Sequence, residues 1–343
     1  MIEKNHRILI TGATGFVGSY IVRYLLKNGY TNLICLKRTN SRIDLLSEVK
    51  EKLEFVDGDV LDIVFLEDLL QNIDAVIHTA AMVSFRKKDK KKMLKTNIEG
   101  TSNLLNICLD YKIKKFVHIS SIAALGRSES GKTINEKNEW ENSKYNSDYA
   151  ISKYLSELEV WRAYAEGLNV AVINPSMIIG AGFWNIGTSE FFKQIENGLS
   201  FYTSGSNGFV DVRDVARMSV QLLENEISGE RFICSTENVK YKLFFENIAI
   251  GIGKSAPKYA FPNFLTNITG IFLDIFNFLS GGRSNLSSQS LKNASFTSLY
   301  DNEKSLKILN FRYLPISETL KETSTLFLKS KEENSDFNFF EII

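Results

Sequence analysis

Tyr149 and Lys153 stand four residues apart in YAISK, and on a helix that spacing puts both side chains on one face. A phenol with a pKa near 10 exchanges protons poorly at neutral pH. An ammonium beside it favours the phenolate and lowers that pKa, so the two together make a general acid–base couple. Ser147 or Asp148 just upstream is a residue type that starts helices. The apolar run before that helix ends in Ser120 and Ser121, and a hydroxyl at a strand end can hold the oxygen that Tyr149 protonates. The other reactive residue types offer less. Cys35, Cys108 and Cys234 lie far apart without a CxxC pattern, and His78 and His118 fall inside apolar runs, so neither a disulfide framework nor a metal site is expected.

A second constellation lies at the N-terminus. In TGATGFVGS the glycines occupy 12, 15 and 18, after RILI and before the amphipathic IVRYLLKNG. Gly12 permits a tight turn, Gly15 lets backbone approach a phosphate, and Gly18 lets helix pack on strand. The helix that opens there directs unpaired amides and its positive end at a pyrophosphate. A dinucleotide is the expected ligand, with Gly12, Thr14, Gly15, Phe16, Val17 and Gly18 around it. About 20 residues on, an acid would accept from a ribose 2′-hydroxyl. The chain instead has Lys37 and Arg38, which match a 2′-phosphate and favour NADP over NAD.

These groups need a scaffold that gathers them. Short apolar runs begin at Arg7, Asn32, Leu53, Asp74, Lys115 and Asn169. They alternate with helical segments at about 15–27, 41–50, 62–71, 90–110 and 148–166. The alternation predicts an α/β fold, a doubly wound parallel sheet of Rossmann type with ligands at the carboxyl ends of its strands. Residues 1–175 are expected to form the dinucleotide-binding domain, with 208–235 returning to it. Residues 176–207 and 236–328 are expected to form a smaller, mostly helical substrate-binding region, and 329–343 a frayed tail. Phe183, Trp184, Phe191, Phe192, Phe201 and Tyr202 in that region point to an apolar or aromatic ligand.

The bulk properties exclude several classes. With 41 Lys and Arg against 40 Asp and Glu, the net charge is +1, too small for a general nucleic-acid binder. FRKKDKKKMLK from Phe85 carries one aromatic and reads as a solvated face near the cofactor phosphates. The N-terminal segment lacks the apolar run of a signal peptide, so a cytoplasmic location is expected. The apolar stretch 261–281 is interrupted by Asn263, Asn267, Asp274 and Asn277, which favours a buried or substrate-covering helix over a membrane span.

Eight motifs follow in order: TGATGFVGS, GDVLD at Gly58, HTAA at His78, TNIEGT at Thr96, ISSIAALG at Ile119, YAISK, NPSMIIG at Asn174 and FVDVRDVA at Phe209. In that order they resemble the extended short-chain dehydrogenase/reductase family, also called the NAD-dependent epimerase/dehydratase superfamily. The likeness is nearest to its dihydroflavonol 4-reductase and 3β-hydroxysteroid dehydrogenase-like branch. The resemblance implies that Asp59 and Val60 flank the adenine, that Thr79, Ala80 and Ala81 line the cofactor, and that Pro175, Ser176 and Ile178 lie at the nicotinamide. It implies a catalytic set of Ser121, Tyr149 and Lys153, with Asn97 in a supporting role and Lys153 also on the nicotinamide ribose. Ile122 and Ala123 stand where sugar-nucleotide dehydratases carry an Asp-Glu pair. The expected activity is therefore reduction of a small-molecule ketone or aldehyde by NADPH. An NAD-dependent nucleotide-sugar epimerase or dehydratase and a non-catalytic NADPH sensor are the alternatives. The family also implies possible pairing of two copies through the helices of Asn97 and Tyr149.

Overall fold

Strands β1 (Ile8–Thr11), β2 (Leu33–Lys37), β3 (Glu54–Asp57), β4 (Ala75–His78), β5 (Lys115–Ile119) and β7 (Val170–Pro175) account for the apolar runs of the first half, and β6 (Thr133–Ile134) is a two-residue strand outside them. The computed structural model describes residues 1–126, 132–143, 146–261 and 295–342. Six of these strands, all but β6, join a later strand, Glu230–Cys234, in a seven-stranded sheet. Its order is β3-β2-β1-β4-β5-β7 and then Glu230–Cys234, and the pairings throughout are parallel. The order reverses between β1 and β4, and ligands bind at such a switch point.

Side chains alternate across the sheet. Ile8 and Ile10 face a core shared with α1 (Phe16–Lys27) and the helix Val212–Glu224. Leu9, Ile34 and Val76 face the opposite core, under α2 (Ile63–Leu70) and the helices Gly100–Asp110 and Asp148–Ala165. A sheet covered on both faces needs nearly continuous apolar strands, which is why these runs are apolar throughout.

Three expectations about elements change. Residues 41–50 form no α-helix but two short 3₁₀ turns, Asp44–Leu46 and Lys50–Lys52. The buried Arg23 donates twice to the Leu45 carbonyl, at 3.0 and 2.9 Å, and so takes an acceptor that a helix would use. The segment 90–110 is helical but passes through a π turn at Lys95–Glu99, between α3 (Lys90–Leu94) and α4 (Gly100–Asp110). The strand Ser206–Asp211 joins a separate three-stranded sheet with Met177–Ile179 and Glu237–Lys240. In the segment 208–235 only the strand Glu230–Cys234 enters the large sheet, while the helix Val212–Glu224 packs on its face.

The segment after Lys329 is not frayed. The C-terminal helix runs to Glu332, and Phe340 is buried with its N–H donated to Tyr20 Oη at 2.8 Å. That hydroxyl donates in turn to the Ala181 carbonyl at 2.8 Å. Beyond Phe261, the interrupted apolar stretch lies outside the described residues. Among those residues no helix is long and apolar enough to cross a membrane.

Candidate functional site

One large cavity, about 1970 Å³, opens along the carboxyl ends of the strands. Its floor is the turn between β1 and α1. Gly12 holds φ +68°, and a Cβ on Gly18 would come within 2.2 Å of the Gly12 carbonyl oxygen, so both positions need glycine. Gly15 caps α1 without any side-chain hydrogen bond, which leaves the first-turn amides for a ligand. Gly12, Thr14, Gly15, Phe16, Val17 and Gly18 all line the cavity, as do Asp59, Val60, Thr79, Ala80, Ala81, Pro175, Ser176 and Ile178. Ser176 Oγ is buried with no hydrogen-bond partner among the described residues. This glycine cradle, with open amides at one end and an unpaired hydroxyl at the other, fits a dinucleotide.

Lys37 and Arg38 line the same cavity but differ. Lys37 is paired with Asp57 at the end of β3. Arg38 is exposed and, among the described residues, has no side-chain hydrogen bond or ion pair.

Tyr149 and Ser121 meet on the cavity wall. The helix α5 (Asp148–Ala165) starts at Ser147, whose hydroxyl accepts from Ala150 N at 3.0 Å, and Tyr149 lies in its first turn. Ser121 caps the 3₁₀ turn that follows β5 and accepts from Ala123 N at 3.1 Å. The Ser121 hydroxyl lies close enough to the Tyr149 phenol to act on its ionisation. Burial raises the Tyr149 pKa, and the nearby Ser121 side chain opposes the rise in part. The sequence spacing had pointed to a lowered value, and desolvation outweighs that.

Lys153 and Asn97 stand behind this wall rather than on it. Lys153 is 2% exposed and its Nζ donates to the Ile119 carbonyl at 2.8 Å. Burial lowers its pKa to about 8, against the raising effect of Glu157. Asn97 sits in the π turn, accepting from Met82 N at 2.7 Å and donating to Met82 O at 3.0 Å and Ser152 Oγ at 2.9 Å. It thereby holds the segment that carries Phe85, whose ring meets the Tyr149 ring at 5.9 Å.

The aromatic cluster divides. Phe183, Phe191, Phe201 and Tyr202 line the cavity, whereas Trp184 and Phe192 are core residues under the C-terminal helix. Sequence reasoning missed Glu157, a buried carboxylate one turn beyond Lys153. Its signal was the same four-residue spacing that exposed the Tyr149 and Lys153 pair.

The family model described as the NAD dependent epimerase/dehydratase family matches residues 8–234, most of the chain and all seven strands of the large sheet. The chain belongs to this family. It is an NAD(P)-dependent enzyme of the extended short-chain dehydrogenase/reductase type. A Synechocystis sp. protein provisionally named dihydroflavonol 4-reductase is 31% identical over 278 residues, covering 77% of this chain and 79% of its own. Cinnamoyl-CoA reductase 1 of Petunia hybrida is 26% identical over 276 residues, covering 76% of this chain and 81% of its own. The solved UDP-glucose 4-epimerase of Thermotoga maritima superposes with a TM-score of 0.78 at 22% identity, covering 95% of this chain and 99% of that one. It shares the fold.

Proposed function

We propose that this family member is an NADPH-dependent reductase of a ketone or aldehyde on a small organic molecule. The observation that carries the reading is that Ser121 and Tyr149 stand together on the wall of the cavity whose floor is the glycine turn. When bound, a reduced nicotinamide supplies the hydride. Ser121 holds the carbonyl oxygen and the Tyr149 Oη–H gives it a proton. The raised pKa of Tyr149 keeps the phenol protonated at neutral pH, the form that reduction requires. The Lys153 ammonium, one helical turn beyond Tyr149 and behind the cavity wall, would steady the phenolate left after transfer. Arg38 faces the cavity with its guanidinium uncommitted, which supports NADPH over NADH. Phe191, Tyr202 and Phe245 wall the end beyond Ser176 and suit an apolar substrate body. The relatives named as reductases support the same chemistry.

The test is NADPH oxidation by the purified protein over a panel of ketones and aldehydes. Tyr149→Phe is expected to lower kcat about 10²- to 10⁴-fold while NADPH still binds, as read by nucleotide fluorescence. Full turnover by that variant refutes the assignment.

A further inference from the structure

We propose that Glu157 is a positioning residue of this site: its buried carboxylate joins the strand ends that carry Ser121 and Pro175 to the helix that carries Tyr149 and Lys153. The inference rests on the reductase reading above and adds a residue that does not line the cavity.

Glu157 is 2% exposed, so its charge has to be answered inside the protein. Ser120 Oγ donates to Oε2 at 2.6 Å and Asn174 Nδ2 to the same oxygen at 2.8 Å. Arg231 Nη1 reaches Oε1 at 3.2 Å and Trp161 Nε1 at 3.3 Å. Ser120 immediately precedes Ser121, and Asn174 precedes Pro175 while also donating to the Ser121 carbonyl at 3.0 Å. Arg231 lies on the edge strand of the large sheet. One carboxylate therefore ties the ends of β5, β7 and that edge strand to α5, one turn from Lys153. A displaced Glu157 would let the Ser121 hydroxyl and the Tyr149 phenol drift apart, and misplacement of about 1 Å can cost about 10²-fold in rate.

The carboxylate also balances charge. Glu157 raises the Lys153 pKa against the lowering by burial. The other titratable groups electrostatically linked to Lys153 are two imidazoles, His78 on β4 and His118 on β5, while Tyr149 lies one turn back on its own helix. Both imidazoles are held neutral by burial and by the Lys153 charge. Neither supplies an anion, so Glu157 is the acidic group that keeps the ammonium charged. Lys115 also has a pKa lowered to about 8, but it sits at the opposite end of β5, bound to Asn169 Oδ1.

The sign follows directly. Reduction needs the Lys153 ammonium, so the rate falls as pH rises through the Lys153 pKa. Removing the Glu157 charge lowers that pKa and moves the alkaline fall to lower pH.

The experiment is the pH profile of kcat for wild type, Glu157→Gln, Glu157→Asp and Ser120→Ala, with NADPH binding and Tm measured on each. Glu157→Gln is expected to move the alkaline limb down by about one unit. Glu157→Asp keeps the charge but shortens the tie, so kcat should fall about 10-fold with the limb in place. Ser120→Ala should do the same. A common limb in wild type and Glu157→Gln overturns the inference, because a purely structural carboxylate, or a limb set by Lys115, predicts that result. If Glu157→Gln does not fold, a limb displaced in Glu157→Asp or Ser120→Ala overturns it instead. An active Tyr149→Phe would sink the reductase reading; an inactive Tyr149→Phe beside an unmoved Glu157→Gln profile sinks the role of Glu157 alone.

Discussion

Two adjacent cations at the end of β2 illustrate what a single residue can and cannot announce. Parallel register sets Lys37 opposite Asp57, and the ion pair across β2 and β3 spends the Lys37 charge within the sheet. Arg38 is left to meet a ligand. Arg38→Ala is expected to weaken NADPH binding about 10- to 100-fold, the worth of about 1.5–3 kcal/mol in charged hydrogen bonds, and to leave NADH binding unchanged. Fluorescence titration with both nucleotides decides it, and an equal loss for the two contradicts a 2′-phosphate contact. Lys37→Ala should change little. From the sequence the two residues looked equivalent, because Asp57 is 20 positions away and only strand pairing makes it a neighbour.

Among the elements, the π turn at Lys95–Glu99 has the most bearing on the site. The extra residue of such a turn re-aims a side chain within an otherwise continuous helix. Here it coincides with Asn97, which clamps both backbone groups of Met82. Asn97→Ala leaves those part-buried groups without that partner and should cost about 1 kcal/mol in denaturant unfolding. It should also lower kcat, since Phe85 loses its seat beside Tyr149. Unchanged stability would show that water replaces the clamp. The strands were legible in the sequence because a sheet buried on both faces demands apolar runs, and α5 because Ser147 is a residue type that caps a helix start. The 41–50 segment was not. Its two leucines are buried as in a helix, but the Arg23 guanidinium that claims the Leu45 carbonyl comes from another element.

At the scale of the whole molecule, the glycine turn, Ser121 and Tyr149 come from distant parts of the chain, and the parallel sheet brings them to one edge. The motifs foretold that edge because ligands of such sheets bind there. The wall beyond Ser176 was less legible: aromatic residues serve core and cavity equally well, and only packing sends Trp184 inward and Tyr202 outward. The tail from Lys329 was misread because its charged residues hide Phe340, which docks against α1 through Tyr20. Tyr20→Phe leaves the Ala181 carbonyl and the Phe340 N–H without partners. It should cost about 1–3 kcal/mol and lower Tm by a few degrees, with the loss partly recovered when saturating NADPH binds the native state. An unshifted Tm would show that the hydroxyl is not a structural tie.

That tie also orders events during synthesis. Tyr20 leaves the ribosome early, yet its two partners follow 161 and 320 residues later. Until they arrive its hydroxyl must stay hydrated, since drying it unpaired is costly. The helix behind the nucleotide turn can therefore form early but seals last, and a chain stalled before Phe340 would leave a wet seam for chaperones or proteases to find.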